Sequence, residues 1–99
     1  MSMPSNSSAA KPPAAGPDAV TISGFAFAPA KLTVKRGTTV TWTNRDEDPH
    51  TVTVPGGGGP RSPALVAGAS FRFTFTKPGT YAYICTIHPF MHGTVVVTP

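Results

Sequence analysis

Three His, one Cys and three Met in this 99-residue chain carry the sulfur and imidazole groups able to bind a soft metal ion or act as nucleophiles. Four of them form a pattern. Cys85-Thr86-Ile87-His88-Pro89-Phe90-Met91 sets a thiol, an imidazole and a thioether at three-residue intervals, and His50 offers a second imidazole from well upstream. Extended, three residues span about 10 Å, so these donors meet at one ion only if the chain curls around it. Pro89 restricts its own φ and the backbone of His88, which favours a single loop shape. A Cys and two His with a weak, distant Met are the donor set of a blue copper centre.

Other chemistries fit the sequence less well. Gly56-Gly57-Gly58-Gly59-Pro60-Arg61-Ser62 has the glycine content of a phosphate loop. It lacks the Gly-Lys-Ser/Thr that opens a helix, because Pro60 and Pro63 flank an Arg. A dinucleotide fingerprint fails as well, since its third Gly falls on Arg61. His50 with Asp46 and Asp48 nearby is half of a hydrolytic triad, but no nucleophile elbow accompanies it. Cys85 as a catalytic thiol has only histidine to activate it locally. A single Cys is too few for an iron–sulfur cluster or a binuclear copper site, and three His cannot build a multicopper cluster. These shortages argue against a redox enzyme.

Short alternating strands must position the donors. After Asp18 the chain runs through Val20–Ser23, Lys31–Lys35, Thr38–Asn44, His50–Val54, Ser70–Thr76, Thr80–Cys85 and Thr94–Thr98, separated by turn residues such as Arg36-Gly37 and Lys77-Pro78-Gly79. Val40 and Trp42 share one face, as do Phe71, Phe73 and Phe75. Strict alternation implies sheets with one buried and one wet face. Seven or eight such strands without a helical period predict an all-β, two-sheet sandwich. Cys85 then lies at the end of one strand, the His88–Met91 turn links it to the last, and His50 opens a third.

Composition narrows the partners. Lys+Arg 8 against Asp+Glu 4 gives a formal charge of +4, yet the basic residues are scattered. The acids are concentrated instead, at Asp46, Glu47 and Asp48. Without a basic stripe or a known module, no nucleic-acid partner is expected. No run is long enough for a membrane span, and the first 17 residues lack the apolar stretch of a signal peptide. Residues 1–17, rich in Pro, Ser and Ala, read as a flexible linker or tail, able to serve as a tether. Residues 18–99 read as one folded domain. Its small core is marginal and, with one Cys, has no disulfide to staple it. A metal would serve.

Val40-Thr41-Trp42-Thr43-Asn44, Pro49-His50, Gly79-Thr80-Tyr81-Ala82-Tyr83, Cys85 to Met91 and Gly93 to Val97 together resemble a cupredoxin of the amicyanin/plastocyanin kind, over about Asp18 to Pro99. The short Cys-x-x-His-Pro-Phe-Met loop is the amicyanin-type form. The resemblance implies a Greek-key β-sandwich holding one type 1 copper ion on His50, Cys85, His88 and Met91. It implies a non-enzymatic carrier that shuttles single electrons between redox partner proteins, with copper storage or delivery through the same ligands as the alternative. A monomer is expected, outside the cytoplasm in a bacterial periplasm or at the cell surface, its export or anchor segment not among these residues.

The resemblance also assigns supporting roles. Asn44 is expected to tie the first-His strand to the Cys loop, partly through a hydrogen bond at the thiolate. The His88 edge is expected to reach solvent through an apolar patch with Pro89 and Phe90, although Phe90 fits a core position equally well. Tyr83 shares a strand face with Cys85, and His92 is expected in solvent rather than on the metal. Asp48 departs from the family pattern, which is often apolar there, so the acidic trio is expected beside the electron-exit surface.

Overall fold

A computed structural model describes residues 18–99, and the linker expected over residues 1–17 lies outside the described residues. Seven strands follow in chain order: β1 (Ala19–Ser23), β2 (Ala26–Ala28), β3 (Lys31–Lys35), β4 (Thr39–Asn44), β5 (Ser70–Thr74), β6 (Gly79–Ile84) and β7 (His92–Thr98). One sheet has the order β2-β1-β4-β5 and the other β3-β7-β6. Both are mixed: β1 runs parallel to β4, and β3 parallel to β7, while the remaining pairs are antiparallel. Parallel neighbours need a crossover, and here the chain makes it through the opposite layer. It changes sheet between β2 and β3, β3 and β4, and β5 and β6. The expected all-β sandwich is present.

Alternation places the core between the sheets. Val20 and Ile22 of β1, Val40 and Trp42 of β4, and Val95 of β7 are fully buried. Phe71 and Phe73 face Trp42 and Val40 across the β4–β5 pair, and Phe75 continues that face into the interior. Trp42 meets Tyr83 of the other sheet edge-on, ring centroids 5.6 Å apart, which bridges the two layers. Such aromatic pairs add about 0.5–1.5 kcal/mol beyond the area they bury. Burial pushes the Tyr83 phenol up to about 12, against a smaller opposing pull from the Trp42 indole, so it stays neutral in ordinary buffers.

Two departures from the expected strands concern the site. β2 is only Ala-Phe-Ala, too short to show alternation, and it pairs with β1 across a two-residue turn. Conversely, His50–Val54 is not a strand. It makes isolated bridges, His50 to Leu65 and Thr53 to Arg61 and Ile84. The Thr51 N–H is directed to Cys85 Sγ and the Val52 N–H to Ser62 Oγ, so no regular ladder can form. Alternation also lapses at the end of β4, where Trp42, Thr43 and Asn44 are all buried in succession. That end, the end of β6 and the start of β7 lie at one pole of the sandwich. Ile84 pairs with His92 there, and Cys85–Met91 forms the connection between them.

Candidate metal centre

Cys85 follows β6, Met91 precedes β7, and His50 comes from the long β4–β5 connection. The fold brings three of the predicted donors together. Cys85 Sγ lies 3.7 Å from His50 Nδ1 and 3.7 Å from His88 Nδ1. The ligating atoms of all three residues fall within 4.8 Å of one another. Imidazole and thiolate bonds to a metal of about 2.0 and 2.3 Å subtend a 3.7 Å edge at an angle of roughly 115–120°. Each nitrogen therefore stands at the distance from the sulfur that one shared metal ion would set. His50 and Cys85 are fully buried and His88 is partly exposed. Met91 is buried too, its N–H donating to the His88 carbonyl and its carbonyl accepting the Cys85 N–H, which closes the loop. His92, the first residue of β7, is exposed and stands apart from the cluster, as expected.

The surroundings suit an anionic sulfur and a neutral imidazole. Backbone N–H groups of Thr51 and His88 both donate to Cys85 Sγ at 3.4 Å. His50 Nε2 lies 2.9 Å from Asp46 Oδ2. With that nitrogen holding the proton toward the carboxylate, Nδ1 keeps its lone pair facing the sulfur, the arrangement of a carboxylate–histidine–metal triad. Asp46 also accepts the N–H groups of Gly24 at 2.7 Å and Phe25 at 2.9 Å. Burial pushes its carboxyl up, but the Phe25 and Gly24 N–H groups and the His50 ring outweigh this and hold it below the ordinary value. These donors fit a soft transition ion such as copper.

One supporting role differs from expectation. Asn44 does not reach the thiolate. Its Nδ2 donates to the carbonyls of Asp48 (2.9 Å) and Leu65 (2.8 Å), and its Oδ1 accepts the Asp46 N–H (2.9 Å). It braces the segment carrying His50 instead. The tie to the Cys loop is made by Thr51, whose N–H bonds the sulfur and whose hydroxyl accepts the Thr86 N–H at 2.8 Å and meets the Thr86 hydroxyl at 2.9 Å. Sequence reasoning missed Thr51, although its place directly after the first His was a usable sign. Asp46 was paired with His50 only as half of a hydrolytic triad that lacks its nucleophile; four residues before His50, it turns back onto the ring as a support for the metal-binding imidazole instead.

An apolar rim surrounds the partly exposed His88. Phe90 is 67% exposed, which settles its position as surface rather than core, and Ile87, Pro89 and Phe25 are exposed beside it. Phe25 packs edge-on against both histidine rings and lies 6.3 Å from Phe90. Because Asp46 bonds the Phe25 backbone, and Glu47 and Asp48 follow it exposed, the acidic trio flanks this rim.

Residues 2–97 match the family model described as a cupredoxin-like domain. The chain belongs to the cupredoxin family. It is 41% identical over 87 residues to amicyanin-alpha of Methylorubrum extorquens, covering 84% of this chain and 73% of that one. It is 43% identical over 82 residues to amicyanin of Paracoccus denitrificans, covering 79% of this chain and 63% of that one. Among solved structures, the Cu(I) form of an amicyanin variant superposes with a TM-score of 0.72 at 43% identity, covering 79% and 78% of the two chains. A copper-containing nitrite reductase from Thermus scotoductus superposes at 0.74 and 38% identity, but only 22% of that chain is covered. This cupredoxin is an amicyanin-like blue copper protein that binds one copper ion and carries single electrons. No helix among the described residues is long and apolar enough to cross a membrane.

Proposed function

We propose that His50 Nδ1, Cys85 Sγ and His88 Nδ1 hold the copper, with Met91 as a weak axial sulfur, and that the protein is a carrier rather than an enzyme. The observation that supports this most directly is the pair of 3.7 Å sulfur–nitrogen edges between residues from separate parts of the chain. Bound there, copper supplies a one-electron couple whose two states favour different donors and geometries. The chain's part is to keep the donors still. Asp46 anchors one ring, two backbone N–H groups anchor the sulfur, and the closed 85–91 loop anchors the rest. Little has to move between oxidation states, which is what a fast carrier needs.

His88 is the partly exposed member of the set, so its ring edge is the proposed electron port, and Phe90, Ile87 and Pro89 form the contact surface around it. The flanking acids favour a redox partner whose own apolar contact is bordered by basic residues. An extracytoplasmic location fits the lone thiol, which coordination would protect under oxidising conditions. The deciding experiment is Cu(II) titration followed by visible absorption. An intense charge-transfer band is expected in the wild type and not in Cys85→Ser. A wild type that binds Cu(II) without this band would overturn the ligand assignment, and a blue protein with very slow electron self-exchange would point to storage instead.

A further inference from the structure

The turn between β1 and β2 is built against its own residue preferences. Gly24 and Phe25 both have positive φ, 63° and 58°, the pattern of a type I′ hairpin turn, which favours Asn-Gly or Gly-Gly. A bulky residue in this region is a genuine outlier. Phe25 gains no core in exchange, because 40% of it remains exposed. Its ring instead meets two other rings edge to face: His50, with centroids 5.4 Å apart and planes at 87°, and His88, at 5.1 Å and 83°. The Asp46 carboxylate makes the turn and the site one unit. Oδ1 takes the Gly24 N–H, while Oδ2 takes the Phe25 N–H and lies 2.9 Å from His50 Nε2.

We propose that Phe25 is a positioning residue for the metal centre: its ring fixes the orientation of both histidines and keeps water from them, and Asp46 locks the turn that presents it. The proposal rests on His50 and His88 being the copper ligands. A thiolate and two neutral imidazoles leave one positive charge on the Cu(II) site and none on the Cu(I) site, so admitting water stabilises the oxidised state. Loss of the ring therefore lowers the reduction potential. It also frees His88, the more exposed ligand, to leave the metal. Removing one edge-to-face pair corresponds to about a two- to tenfold change in an equilibrium.

Phe25→Gly separates positioning from ordinary folding, because glycine accepts positive φ without strain. The unfolding temperature of the apoprotein is expected to hold or rise. The same variant, loaded with Cu(II), stays blue but releases copper to a chelator several-fold faster and has a lower midpoint potential. Phe25→Tyr, which keeps the ring, restores both the release rate and the potential. A blue Phe25→Gly protein with the wild-type release rate and potential overturns the role of Phe25 alone. So does failure of Phe25→Tyr to restore them. A wild type that binds Cu(II) without turning blue overturns the ligand assignment, and this proposal with it.

Discussion

Thr51→Val tests whether the tie between the first-histidine segment and the cysteine loop lies where the structure puts it. Valine keeps the β-branched shape of Thr51 and the N–H that bonds Cys85 Sγ, and removes only the hydroxyl. That hydroxyl accepts the Thr86 N–H at 2.8 Å, meets the Thr86 hydroxyl at 2.9 Å and accepts from Thr53 at 3.2 Å. A neutral hydrogen bond contributes about 0.5–1.5 kcal/mol net. Thr51 is buried but Thr86 is exposed, so water recovers part of what Thr86 loses. The two shorter bonds then carry the effect, for a destabilisation of about 1–3 kcal/mol. In a domain of this size each kcal/mol moves the midpoint by about 4–8 °C, so thermal unfolding of the apoprotein should fall by roughly 5–20 °C. Because Thr86 directly follows Cys85, the loosened loop should also shift the visible band of the copper form. Thr51→Ser keeps the hydroxyl and should lose much less. Wild-type unfolding and colour in Thr51→Val, or equal losses in the Val and Ser variants, would refute this account of the tie.

Replacing Met91 with Gln exchanges a soft thioether for a harder oxygen donor, so voltammetry should show a lower potential with the blue band retained. Complete loss of copper binding would show that Met91 is not the weak axial donor. At Gly93 an added Cβ would run into the ring and hydroxyl of buried Tyr83. Gly93→Ala should therefore cost about 1–3 kcal/mol in chemical denaturation of the apoprotein, and a wild-type midpoint would show that the Tyr83 ring has room to move. The overall charge is +4, but three of the four acids, Asp46, Glu47 and Asp48, are clustered in the segment that leads to His50, with Asp46 on its ring. In stopped-flow oxidation of the reduced protein, a cationic inorganic complex should therefore slow as salt is raised from low ionic strength toward 0.1 M, where the screening length is about 10 Å. Acceleration by salt would mean that the net charge governs the encounter.

What the sequence made legible was either local or periodic. Cys85, His88 and Met91 are close in the chain, so their joint role shows in their spacing, and alternation reveals which strand faces are buried. His50 is distant, but the choice among three histidines is small. Asp46 is bound to Gly24 and Phe25, 22 and 21 residues away, Thr51 to Cys85 and Thr86, 34 and 35 residues away, and Phe25 stands in a turn whose residue preferences argue against it. Asn44 shows the opposite failure. Family likeness marked it as important, yet only the fold reveals that its amide serves Asp48 and Leu65 rather than the sulfur. The expected strand over His50–Val54 failed for a related reason: its alternation is real, but its N–H groups have partners that no periodicity can show.

The same residues explain how a small sandwich can hold a demanding site. Each donor segment is fixed by bonds that do not require the ion: His50 by Asp46, with the 46–50 segment braced by Asn44, Cys85 by Thr51 through Thr86, and His88 and Met91 by the backbone bonds that close their loop. These bonds are made at the pole where β4 stops alternating and buries Thr43 and Asn44 in succession. Burying polar groups is costly unless they are hydrogen-bonded, and fully satisfied polar networks are rigid. The local break in the strand pattern is therefore what holds the donors in place. A sandwich that alternated to its tip would bury the same apolar core, but it would have no polar frame on which to set two imidazoles and a thiolate.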